Sequence, residues 1–227
     1  LEGVPRHAST HAAGVIVANE YLYRKVSRFN DNVIKIPTAL DPALYQYEAE
    51  KFERFTLVWI GTPITFKFIR AFAPMFRKLA KQIDYELLIV ARSGLENEAI
   101  PEVNMRFLNW SEDGESFILP KAHVGIMPLT HDPFSLGKSS FKIFQYFASG
   151  IPVLASPIGE NRKVIEDGVN GYLPRNDKEW VERVVGLVRD PELYARMAAA
   201  SAASAADYSL EYWTPEMLNF IGRTFKL

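Results

Sequence analysis

The sequence contains no cysteine in 227 residues. Disulfides, thiolate metal sites and a cysteine nucleophile are excluded together. No apolar run approaches the ~18 residues of a membrane span, and the start lacks the charged and apolar regions of a signal peptide. An excess of one charge is missing as well: Lys plus Arg is 26 and Asp plus Glu is 27, for a formal net charge of −1. Binding along phosphate backbones takes clustered positive charge, so no nucleic-acid partner is expected. A local anion pocket remains compatible with this balance. Also absent are the G-x-S-x-G elbow, the H-E-x-x-H helix, the P-loop spacing and a clustered His/Asp metal set. Neither a bound metal nor another cofactor is therefore expected. With 48% hydrophobic and 23% charged residues the composition is that of a globular protein. The first residue is Leu1 rather than methionine, so a fragment or processed chain is expected.

What is present is a regular succession of apolar runs, at 13–18, 33–37, 55–60, 86–91, 103–108, 123–129 and 152–155. Most do not alternate polar with apolar, which is how strands buried on both faces read. Helical spacing lies between them. Phe68, Ile69, Phe72, Phe76 and Leu79 form one stripe, with Arg70, Arg77, Lys78 and Lys81 opposite. Trp180, Val184, Val185 and Val188 form another. Alternating strand and helix predicts an α/β fold, a doubly wound parallel sheet with helices on both faces. The basic face of 66–82 reads as solvated, with contact to a membrane surface as the alternative. Eight alanines in 193–206 predict an exposed helix. A final amphipathic helix is expected over 209–225, with Trp213, Met217 and Phe220 on its apolar side.

In such a sheet, ligands bind beyond the carboxyl ends of the strands. Three strand exits stand out. At the first, Gly61 and Thr62 follow a strand; the glycine suits either a close ligand approach or a tight turn. The second runs from Thr130 to Tyr146. A helix is expected from Ser139 or Ser140, capped by serine. Lys138 and Lys142 then flank its first turn, where the helix dipole repels cations. Two such lysines reach into solvent or face an anion. Free N–H groups at Ser139, Ser140 and Phe141 would suit a diphosphate. At the third exit, Glu160 and Asn161 head a helix, as caps or as hydrogen-bond partners of sugar hydroxyls. His131 and Asp132 are weaker acid–base candidates, and His123 reads as structural.

At these exits the sequence resembles family 4 of the glycosyltransferases, the group 1 family of retaining enzymes with two Rossmann-like domains (GT-B architecture). The stretch from Gly137-Lys138-Ser139-Ser140-Phe141-Lys142 through Gln145-Tyr146 to Gly159-Glu160-Asn161 carries the resemblance, with Glu166-Asp167-Gly168 and Asn170-Gly171 after it. The resemblance implies three parts. Residues 1–40 would be the end of an N-terminal acceptor domain and a hinge, 41–206 a donor-binding domain, and 207–227 a helix returning to the N-terminal domain. Two glutamates of the family fall here on Gly137 and Gln145, and Lys67 alone stands where many members carry an Arg and Lys pair. The implied activity is sugar transfer from a nucleotide-diphosphate sugar, with retention, to a sugar, lipid-linked or protein acceptor. Lys138 and Lys142 would neutralise the diphosphate without a metal, Gln145 would hold the ribose, and Gly61 and Thr62 would lie beside the phosphates. A non-catalytic nucleotide-sugar-binding module on the same fold is the alternative. A phosphorylated receiver domain and a non-hydrolysing epimerase are more distant ones. The implied location is cytoplasmic or membrane-peripheral, with oligomer formation open through exposed fragment surfaces.

Overall fold

The computed structural model describes residues 14–45 and 49–225. The first 13 residues of the expected 1–40 part, and residues 226–227 of the last, lie outside them. The chain opens with a small β-α-β unit: β1 (Val15–Val17), α1 (Glu20–Val26) and β2 (Val33–Lys35). β1 and β2 pair in parallel, Ile16 opposite Ile34.

The rest builds one sheet. Its elements are β3 (Thr56–Gly61), α2 (Lys67–Ala71), α3 (Ala73–Ala80), β4 (Glu86–Ala91), β5 (Met105–Asn109), α4 (Glu112–Ile118), β6 (Val124–Met127), α5 (Pro133–Leu136), α6 (Phe141–Ala148), β7 (Val153–Ala155), α7 (Asn161–Val164), β8 (Gly171–Tyr172), α8 (Asp177–Arg189), α9 (Pro191–Ser204) and α10 (Leu210–Phe225). The strand order is β5-β4-β3-β6-β7-β8, and every pairing is parallel. The doubly wound sheet is therefore present, with the order of a nucleotide-binding α/β fold.

The unbroken apolar runs are explained by two cores. Leu57, Trp59, Leu87 and Ile89 point to one side, against α3 and α8. Val58, Ile60, Leu88 and Val90 point to the other, against α6. Each fully buried aliphatic side chain contributes ~1.5–3 kcal/mol, so both cores tie helices to the sheet. The order reverses between β3 and β6. Their ladder covers only Leu57↔Val124 and Val58↔Gly125. Beyond it the Tyr146 hydroxyl takes over, accepting from the Ile60 N–H at 3.2 Å and donating to the Ile126 carbonyl at 3.2 Å. A Cβ on Gly125 would lie 2.2 Å from the Tyr146 ring, so only glycine admits that ring between the strands.

Two local expectations change. The 66–82 helix divides at Phe72, which is not helical, because Pro74 cannot donate to the preceding turn. The alanine-rich helix is not simply exposed. α9 buries Met197 and Ser201, and the Ser201 hydroxyl donates to the Ile151 carbonyl at 2.7 Å. Small side chains let it lie close to α6. The two-residue strand β8 was too short to show as an apolar run.

α10 runs past the first unit. Phe220 is buried, a Cβ on Gly14 would sit 2.8 Å from its ring, and Asn32 Nδ2 donates to Thr224 Oγ1 at 3.0 Å. Met217 is exposed, and Trp213 donates through its indole to the Asp207 carbonyl. No described helix is long and apolar enough to cross a membrane.

Candidate functional site

Where β3 and β6 part, their carboxyl ends open into a cleft of about 600 Å³. Ile60 and Gly61 of β3 and Met127 of β6 form its floor, and the start of α6 forms one wall. Of the residues singled out in the sequence, Gly61, Thr62, Lys138, Ser139, Ser140, Phe141, Lys142 and Gln145 all line it. Glu160 and Asn161 do not.

The α6 end carries the positive charge. Lys142 Nζ lies 5.2 Å from the Trp59 ring, and Lys138 Nζ lies 4.5 Å from the Phe134 ring. Lys67 reaches the same Phe134 ring at 5.1 Å. Neither Lys138 nor Lys142 has a carboxylate within ion-pair distance among the described residues. Burial, with Lys138 second, brings the Lys142 amine down from its usual 10.5 to about 8. Burial also lowers Lys138, with Lys67 adding to it and Asp132 opposing. Crowded, part-buried cations at a helix N-terminus form a site whose field an anion would relieve. The N–H groups of Phe141 and Lys142 start the helix and have no i−4 carbonyl to bond.

The serine cap is corrected. Ser140 stands at the N-cap with φ +61°, and its side chain does not cap. Its hydroxyl donates to Asn161 Oδ1 at 2.7 Å instead. Asn161 in turn donates to the Ser156 carbonyl at 3.0 Å, and Ser156 Oγ accepts from the Leu129 N–H at 2.8 Å. Asn161 is thus a buried tie that fixes the backbone turn before α6. Glu160 faces the β-α-β unit: it accepts from the Glu20 N–H at 3.1 Å and pairs with Lys35 at 3.4 Å. Lys163 pairs with Glu20 at 3.1 Å. Beside them Asn19, 1% exposed, caps α1 through Oδ1 and donates to the Gly137 carbonyl at 2.7 Å.

At the first exit the glycine answers a packing need. A Cβ on Gly61 would meet the Trp59 ring at 2.3 Å. Thr62 and Thr65 form a capping box, which engages the Thr62 N–H. Asp132 caps α5 and is held below its ordinary range by Thr130 and the Ser135 N–H. His123 accepts the Thr56 N–H at 3.0 Å, at the opposite end of the strands.

Sequence reasoning missed Arg92, Trp110 and Glu115, which complete the cleft. The first two follow directly on β4 and β5, an exit signal comparable to that of Gly61. Glu115 comes from α4 and had no local signal. Its Oε1 accepts from Gln145 Nε2 at 2.7 Å and from the Tyr45 hydroxyl at 3.1 Å, and its Oε2 from Trp110 Nε1 at 2.5 Å. Burial and this carboxylate raise the Tyr45 phenol.

A family profile described as Glycosyl transferases group 1 matches residues 54–190. An uncharacterized glycosyltransferase of Haemophilus influenzae is 26% identical over 208 residues, 86% of this chain and 56% of that relative. The chain therefore spans about half the length of that relative. Anabaena HepE, solved in complex with UDP and glucose, superposes with a TM-score of 0.77 at 15% identity, covering 95% of this chain and 65% of that one. A mutant of S. aureus TarM, solved with UDP, gives 0.75 at 16% identity over 94% of this chain and 44% of that one. At such identities the structural likeness concerns the fold.

Proposed function

Because the chain belongs to the group 1 glycosyltransferase family, we propose that its cleft holds a nucleotide-diphosphate sugar and that the protein moves the sugar to an acceptor. The observation that carries this reading is the part-buried pair Lys138 and Lys142 at the α6 N-terminus, without an ion-pair partner among the described residues. The diphosphate lies against them and the Phe141 and Lys142 N–H groups. Gln145, 4% exposed and lining the same wall, meets the ribose. The complexes of two structural neighbours with UDP support a nucleoside diphosphate as the ligand class.

In the reaction, the bond from the anomeric carbon to the diphosphate oxygen breaks, and its electron pair leaves with the diphosphate. Lysines and backbone N–H groups already in place meet the charge as it grows, with no reorganisation at that moment. The acceptor oxygen bonds the same carbon on the same face, which is retention, and its proton leaves with the departing phosphate or to water. No metal is assigned a step.

Binding is tested with UDP, GDP and ADP by thermal unfolding, each with and without chelator. A ligand at a hundredfold excess over Kd stabilises by ~2.7 kcal/mol, or roughly 5–10 °C for a chain of this size. The expected result is a chelator-insensitive shift with at least one nucleotide. A shift that appears only with magnesium or manganese overturns the lysine role.

A further inference from the structure

One carboxylate, Glu115, lines the cleft among the described residues. It is held by three neutral donors from three parts of the chain: Tyr45 before the sheet, Trp110 after β5 and Gln145 on α6. A carboxylate has about four acceptor positions. Among the described residues three are engaged, and the remaining one is on Oε2, which has a single donor there.

Glu115 also decides how Gln145 faces the cleft. A carboxylate can only accept, so the amide nitrogen of Gln145 must point toward it. The amide oxygen is then the group that Gln145 offers to a ligand. Two acceptors therefore stand side by side, one on each residue. Lys142 and Gln145 are three apart on α6, on one helix face. A ligand whose diphosphate rests on Lys142 places its next group beside Gln145 and Glu115. For a nucleoside diphosphate that group is the ribose, with two neighbouring hydroxyl donors.

Resting on the proposed function, we propose that Glu115 sets the selectivity for a ribose diol: it positions the Gln145 amide and adds its own Oε2 as the second acceptor. The functional reading gave the ribose to Gln145 alone. In this arrangement the amide is neutral, and the negative charge that strengthens the hydrogen bond comes from α4.

The test measures affinities of the intact chain for the best binder among UDP, GDP and ADP, for its 2′-deoxy and 3′-deoxy forms, and for inorganic pyrophosphate. The wild type should prefer the ribonucleotide by at least about 10-fold, the lower range for a charged hydrogen bond. Glu115→Gln is isosteric and should bring that preference within about 3-fold, while pyrophosphate affinity stays within about 2-fold. Gln145→Glu supplies a second reading, because two carboxylates this close cannot both ionise. Its ribonucleotide affinity, taken relative to that of the wild type at the same pH, should rise as pH falls below 7. Equal wild-type binding of ribo and deoxy forms overturns the proposal. So does a loss of pyrophosphate affinity in Glu115→Gln matching the loss of nucleotide affinity, which would mark a purely structural carboxylate. Absence of binding by every nucleoside diphosphate sinks the functional reading itself, whereas binding without ribose preference sinks this inference alone.

Discussion

Lys142→Gln tests whether the lysine pair is built for an anion. The amine has been brought to about 8 from its usual 10.5, chiefly by burial. The unfolded chain therefore holds a proton on this group more tightly than the native one. The native state is penalised at every pH below about 8, and the penalty fades as pH rises toward 10.5. A shift of this size corresponds to a ceiling of ~3 kcal/mol, and partial solvent contact of the side chain trims it to ~1–2 kcal/mol. Lost contact with the Trp59 ring returns ~0.5–1 kcal/mol. The unliganded variant should thus be equally stable or up to ~1.5 kcal/mol more stable at pH 7, with the difference disappearing above about pH 10. Binding should move the other way. Losing a hydrogen bond to a charged group costs ~1.5–3 kcal/mol, about 10- to 150-fold in Kd for the diphosphate. A bound diphosphate should also restore the ordinary pKa. At pH 8.5 the wild type should then take up a substantial fraction of a proton per ligand. Calorimetry in two buffers of different ionisation heat reads this uptake, and chemical unfolding of the same samples reads stability. A variant that is less stable yet binds as the wild type does refutes the reasoning, as does a wild type that takes up no proton at pH 8.5.

Tyr146→Phe should cost ~1–3 kcal/mol in urea unfolding, because the Ile60 N–H and the Ile126 carbonyl are left without their shared partner in a buried seam; a loss under ~0.5 kcal/mol would show that the strands close by themselves. His123 is lowered to about 4 by burial first and Lys51 second. Its stabilisation is present above about pH 6.5, where the unfolded imidazole is also neutral, and is lost as pH falls toward 4. His123→Asn, which keeps an acceptor for the Thr56 N–H, should flatten the pH dependence of the unfolding midpoint between 4 and 6.5, and an unchanged slope would remove this histidine from the account.

The sheet was legible because strands covered on both faces cannot hide their composition. The 55–60 and 86–91 runs and β3 and β4 nearly coincide. Val103 and Asn104 fell outside β5 because apolar character marks burial, not hydrogen bonding. The lysine pair was legible as well, since two cations against a helix dipole conflict locally. Glu115 was not, because its meaning depends on Tyr45 and Gln145, which lie 70 residues before it and 30 after. The role of Glu160, left open between a cap and a sugar contact, was not legible because its partners here, Glu20 and Lys35, are more than a hundred positions away. Ser140 looked like a cap from composition alone, but its left-handed backbone turns the hydroxyl to Asn161.

The seam between the β-α-β unit and the large sheet is a joint of a particular kind. Glu20, Lys35, Glu160, Lys163 and Asn19 meet there, and none of them is an apolar side chain. When an oily seam parts, water must cover bare hydrocarbon. When these polar groups part, each can find a water molecule to bond, and salt weakens their ion pairs. One half of the joint also grips the Gly137 carbonyl, directly before Lys138. Sliding the unit away therefore unfastens the lip of the cleft in the same movement. The loop before α6 and the β-α-β unit are latched by the Asn19 amide.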